Sequence, residues 1–282
     1  MRNLFNFEAE PFELDTEFDE YEEELDSEFG EFDTELTEEE WQGEVNRRST
    51  PAIDAVNVQT LKANIAKIAN QEWVRWGRGS IKEGDQNIRS VLENYWVTGT
   101  GRRLSEAGWW SKHPWSAAFI SWVMKKAGAG KAFKYSSAHA VYIKAAKDNR
   151  LANNNNPFKA YRISEVKPQL GDLVCKSRAG SGANYDNIRP GHKTHCDIVT
   201  EAQTNHLVTI GGNVRNSVSK TIVPIYANGF INKSGYFAVI RLSAPSRSRS
   251  LFNSSSIDRE THEGCGCSCG GCSRHTVSNL WR

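Results

Sequence analysis

Three residues, in chain order, have the types that acyl-transfer chemistry needs: Ser116, His195 and Asn213. A hydroxyl nucleophile needs a base to take its proton, and imidazole suits that work near neutral pH. A polar group on the far side of the ring fixes its tautomer. Ser116 stands in Pro114-Trp115-Ser116-Ala117-Ala118-Phe119-Ile120-Ser121-Trp122-Val123. Here a proline suits the first turn of a helix, a small hydroxyl residue follows, and an apolar run continues. A side chain at such a start sits where the free N–H groups and the positive end of the dipole point, so an anion forming on it is stabilised. The same pattern also describes a buried amphipathic helix in which Ser116 is a cap or a small packing residue.

Further candidates surround these three, each with a plainer alternative. Asp197 shares a strand face with His195 and can orient the ring or charge a substrate pocket; it also suits a solvated strand position. Trp115, with Trp109, Trp110 and Trp122, could line a sugar or peptide groove, or belong to the core. Ser136, Ser137 and His139 are candidates to flank a cleft. Cys175, in the apolar run Leu173-Val174-Cys175, is either a substitute nucleophile or inert packing. His192-x-x-His195-Cys196 hints at a metal but lacks a defined third ligand. In the tail, Cys265, Cys267, Cys269 and Cys272 crowd within eight residues, with His275 close behind. Such thiols are soft ligands for zinc, copper(I) or an iron–sulfur cluster, although the spacing fits no zinc ribbon and a pair of tight disulfides is an alternative. The catalytic residues themselves call for no cofactor.

The elements that must position these groups fall into two blocks. Leu61, Ile65, Ile68 and Trp73 recur at helical spacing between Asn57 and Trp76. A second helix is expected from Asp85 to Trp96, broken by Gly99-Thr100-Gly101, and a third from near Pro114 to Lys125-Lys126-Ala127-Gly128. A fourth, capped by Ser136-Ser137, runs toward Asp148. After the polar loop Asn153 to Asn156 come short β-rich runs: 171–175, 195–200, 206–210, 221–225 and 236–241. Gly, Asn and Ser clusters separate them, as in an antiparallel meander. Helices first and strands afterwards predict an α+β fold with a segregated sheet.

Charge divides the chain sharply. The formal net charge of +1 conceals residues 1–44, which hold 19 of the 34 acids against one base, leaving 34 bases and 15 acids for the remainder. Residues 1–50 alternate acids with aromatics at irregular spacing and read as a disordered segment, either a docking tag for a protein partner or a solubilising head. The basic body favours an anionic partner. Nucleic acid is not favoured, because the basic residues are dispersed and no nucleic-acid module is visible. No apolar run is long enough to span a bilayer, and the start of the chain lacks a signal-peptide core, so synthesis in the cytoplasm without classical secretion is expected. The two body cysteines, Cys175 and Cys196, do not suggest a disulfide scaffold.

Four short motifs in order carry a family resemblance: Trp115 to Trp122, Gly171-Asp172-Leu173-Val174, His195-x-x-Ile198-Val199 and Ile210-Gly211-Gly212-Asn213. Together they resemble CHAP-type amidases of the papain-like NlpC superfamily, and more closely an uncharacterised bacterial domain family related to it, over roughly residues 57–243. The resemblance implies a papain-like half-barrel sheet packed on a helix, cleaving amide bonds of peptidoglycan peptides. Ser116 then falls where that family has its nucleophilic cysteine, His195 on the base and Asn213 on the third member. The family's frequent glutamate two places before the asparagine is here Gly211. Three outcomes follow: a serine hydrolase, a role for Cys175, or a silent site kept for binding wall fragments or a protein partner. The expected organisation is an acidic segment at 1–50, the papain-like domain at 57–243, a Ser/Arg-rich linker at 244–262 and the cysteine tail at 263–282. Action at the cell wall would require non-classical release or loading into an injection apparatus.

Overall fold

A computed structural model describes residues 55–244. The acidic segment, the linker beyond Ala244 and the four tail cysteines lie outside the described residues. The fold is α+β, with helices preceding a six-stranded sheet.

Helix α1 spans Ala55–Arg75, with Leu61, Ile65 and Ala69 fully turned into the core. Helix α2 covers Arg89–Thr100, entered through a 3-10 turn at Gln86–Ile88. It continues past Gly99, which was expected to break it, because that glycine is a contact point. A Cβ there would lie 2.6 Å from the Ala118 carbonyl oxygen and 2.8 Å from the Trp122 nitrogen, so the missing side chain lets two helices touch. Gly101, at φ +77°, ends the helix. The short helix α3, Trp109–Lys112, was not anticipated. Helix α4 spans Ser116–Ala127, with Lys125 and Lys126 in the last turn and Gly128 left-handed at the cap, as its sequence requires. Pro114 lies just before this helix rather than in its first turn, Trp115 taking the N-cap place. Helix α5 spans His139–Leu151; the Ser136 hydroxyl accepts from the Ala138 N–H just before it rather than capping the helix itself.

The strands are β1 Phe158–Arg162, β2 Leu173–Ser177, β3 Thr194–Ala202, β4 His206–Val214, β5 Ser217–Pro224 and β6 Tyr236–Leu242. Their order is β1-β6-β2-β3-β4-β5, antiparallel throughout. The expected meander is present from β2 to β5, but β6 returns to the free edge of β2 and β1 pairs outside it. Strand β1 has only Phe158 and Ala160 buried, and its pattern gave no sequence signal.

Helix α4 is the centre of the packing, touching α1, α2, β3 and β4, with its residues from Ser116 to Met124 all buried. Trp115, Trp76 and Tyr95 stack beneath its start, the two indoles at 4.9 Å. The Trp115 indole N–H donates to Glu83 Oε2 at 2.7 Å, and the Tyr95 hydroxyl donates to Glu72. Burial pushes the Glu72 and Glu83 carboxyls up from their ordinary value. Trp115 is therefore a core residue with 0% exposure, correcting its assignment to a substrate groove.

Candidate active site

The start of α4 sets Ser116 as the first helical residue, with no side chain capping the N–H groups of that turn. Ser116 Oγ lies 2.6 Å from an imidazole nitrogen, but the ring belongs to His139, not His195. That corrects the expected pairing. His139 opens α5, and its other nitrogen, Nδ1, meets the hydroxyl of Tyr142, one turn further along the same helix. Each ring nitrogen of His139 thus has one partner. Burial, followed by the nearby His195 and Arg178, holds the His139 imidazole well below its ordinary pKa of 6.5, so it stays neutral and able to accept a proton.

His195 stands behind this pair, its ring centroid 5.0 Å from that of His139. Both of its nitrogens are engaged: Nε2 donates to Asp197 Oδ1 at 2.8 Å, and Nδ1 lies 3.4 Å from a guanidinium nitrogen of Arg178. Asp197, only 2% exposed, holds His195 rather than facing a substrate. The carboxylate rests against the backbone of Gly211 on the neighbouring strand, where a Cβ would fall 1.8 Å from Asp197 Oδ1. An acid side chain therefore fills the space over Gly211, and it comes from β3.

Asn213, the expected orienter, makes no such bond. The β4 ladder shifts register between Gly211 and Val214, placing Asn213 at φ +57° just before the two-residue turn Arg215-Asn216, whose residues are also left-handed. Its Oδ1 is buried without a hydrogen-bond partner among the described residues. Asp197, not Asn213, is the polar partner of His195.

Cys175 and Cys196 are joined in a disulfide between register partners of β2 and β3. This removes Cys175 as a nucleophile and corrects the expectation that the two body cysteines give no disulfide. The metal alternative at His192 also falls, since Cys196 is committed and no group of three or more His, Cys, Asp or Glu among the described residues could hold an ion. The bond clips the strand at the residue between His195 and Asp197. We expect Cys175→Ser to lower unfolding free energy by roughly 2–4 kcal/mol in denaturant titration. Thiol counting should also show at least two fewer reactive cysteines in the oxidised protein than after reduction; equal counts would refute the bond.

Sequence reasoning placed His139 only at the rim of a cleft. The signal that could have found it is His139 and Tyr142 at helical i, i+3 spacing, two polar side chains among Ala140, Ile143 and Ala146, all of which are buried. Ser136 instead holds Ser121 on α4: its carbonyl accepts from the Ser121 hydroxyl at 2.7 Å.

Geometrically the cluster can move a proton between Ser116 and His139 and can stabilise an anion at the start of α4. Ser116, His139, Tyr142, His195 and Asp197 are all nearly closed to solvent, with Ser116 at 3% and His139 at 4% exposure. Residues 83–256 match the family described as an uncharacterized protein conserved in bacteria (DUF2272). No curated protein and no solved structure matches the chain.

Proposed function

The chain belongs to this bacterial family, and we propose that it is an amide hydrolase of papain-like build, acting on peptidoglycan peptides with a serine nucleophile. The observation that carries the reading is the 2.6 Å contact between Ser116 Oγ and His139 Nε2 at the mouth of a helix. In this reading Ser116 Oγ attacks the amide carbonyl while its proton passes to His139 Nε2. The oxyanion is held by the first-turn N–H groups of α4. His139 then returns the proton to the departing amine nitrogen, and water hydrolyses the acyl-serine with the same ring as base. His195 and Asp197 stand behind as a support. The substrate class comes from the resemblance to CHAP-type amidases, and the basic body suits an anionic wall polymer.

A second reading is a silent binding module for wall fragments or a protein partner, and the burial of Ser116 favours it. The two are separated by incubating sacculi and purified muropeptides with wild-type protein and with Ser116→Ala. New amines released by the wild type alone support hydrolysis. Equal binding without release by both proteins leaves the module. Delivery from the cytoplasm to the wall, with the acidic segment as a loading tag, belongs to the same proposal. Among the described residues no helix is long and apolar enough to cross a membrane.

A further inference from the structure

We infer that the Cys175–Cys196 disulfide is a redox switch on the site: a dithiol that cuts it loosens the His195–Asp197 support behind His139, and reoxidation restores that support. The change at the support stands on geometry. Its effect on turnover rests on the hydrolase reading.

Cys196 is the residue between His195 and Asp197, so the bond enters β3 inside the span that the His195 Nε2 to Asp197 Oδ1 contact closes. The sheet holds that stretch unevenly. The β2 ladder pairs Thr194 through Ile198 with Ser177 through Leu173, whereas the β4 ladder begins only at Ile198. Among the described residues, β2 is therefore the one ladder partner of residues 194–197. Strand β2 is itself irregular at this level, since its pairing with β6 shifts register between Cys175 and Lys176. The disulfide is thus a covalent tie where the backbone ladders grip the support least.

Cutting the tie takes a reductant of the dithiol class. One of its thiolates attacks a cysteine sulfur and releases the other as a thiolate; its second thiol then closes on the mixed disulfide. Two cysteine thiols remain in the protein, and the reagent leaves as a cyclic disulfide carrying the loss of two electrons and two protons. The freed sulfurs must part to non-bonded contact. Both cysteines are 0% exposed and packed in the core, so the room for this has to come from the strands. Asp197 has little slack, because its carboxylate already fills the space over Gly211. A small displacement of β3 therefore strains the Asp197 to His195 bond and moves a ring whose centroid lies 5.0 Å from that of His139. Because both sulfurs are shielded, exchange waits on local opening of residues 194–197. Thiols stay reduced in a cytoplasm and disulfides persist outside it. On the delivery route proposed above, the chain is made in the loosened form and tightens on leaving.

The test compares the full chain, with labelled histidines, before and after equilibration with dithiothreitol at one pH. Reduction should shift the His195 ring signals and speed amide exchange at residues 194–197 ahead of the rest of the sheet. It should also lower amine release from muropeptides by about 10- to 100-fold, the scale of a lost support. Replacing the reductant with oxidised glutathione should reverse all three changes. A double variant, Cys175→Ala with Cys196→Ala, keeps the tail cysteines and so separates them from this bond; it should show the loosened signals with and without reductant. Should that variant fail to fold, mass mapping of alkylated thiols in the wild type assigns the reduced pair instead. His195 signals and exchange rates unmoved by reduction, protection lost across the whole sheet at once, or a double variant that responds as the wild type does would each overturn the inference. A reversible change at His195 with no amine released in either state would remove the hydrolase reading while upholding this one.

Discussion

His139→Ala is expected to abolish amine release from muropeptides as fully as Ser116→Ala, each by about 10⁴-fold or more, with the double variant no worse than either. Groups that act as one unit lose their contribution together, and the serine and ring form one unit through a single hydrogen bond. His195→Gln is expected to lose only about 10- to 100-fold, in line with a supporting role. Glutamine is the informative replacement there, because its amide can still donate to Asp197, whereas alanine would leave a buried carboxylate unpaired and confuse activity with stability. Equal losses for His195→Gln and His139→Ala, with both proteins folded, would return the base to the strand histidine. The pH profile follows from the same geometry. A base held well below 6.5 stays neutral into mild acid, so the acid limb of the rate should fall at lower pH than for an ordinary imidazole. The stability sign is the opposite of a salt-bridged histidine. The unfolded chain takes up a proton at His139 as pH drops through 6.5 while the folded chain does not, so stability falls with pH below that value until the folded group titrates as well.

Much of the frame that holds this site was legible from local pattern, and the departures share one physical cause. Helix α4 announced itself through an apolar run, terminal lysines and a following glycine, all contained within a few turns. The α+β order was legible because period changes along the chain are local too. What could not be seen were pairings between distant segments. The disulfide depends on register between β2 and β3, so a cysteine in an apolar strand looked like packing until its partner was set opposite it. Gly99 looked like a helix breaker because the backbone of α4 pressing on it lies far along the chain. The exchange of His195 for His139 is the most instructive case. Motif order put a histidine on a strand and an asparagine on the next, whereas the fold places a helix-borne ring between that histidine and the serine. The left-handed Asn213 shows the same limit: the register shift in β4 spends that residue on a turn before it can reach an imidazole.

Gly211→Ala is expected to damage packing and the site together. The new Cβ would fall 1.8 Å from Asp197 Oδ1 and 2.9 Å from Val214 Cγ2. Strand β4 cannot retreat the other way, because a Cβ on the adjacent Gly212 would lie 2.5 Å from the Phe119 Cβ, which places α4 hard against that face. The carboxylate must therefore leave, breaking its bond to His195 and stranding a buried imidazole and a buried acid together. Overpacking costs about 1–3 kcal/mol and leaving a buried hydrogen-bonding group without its partner about 1–3 more, so a loss of roughly 2–6 kcal/mol is expected in denaturant titration. On this account the Asp197 carboxylate and any side chain at position 211 are alternatives for one space. A double-mutant cycle makes that checkable. Once Asp197→Ala has emptied the space, Gly211→Ala should cost less than about 1 kcal/mol, the remainder appearing as coupling between the two positions. A Gly211→Ala protein as stable as wild type, with the His195 ring signals unmoved, would show that Asp197 does not depend on the bare backbone of β4.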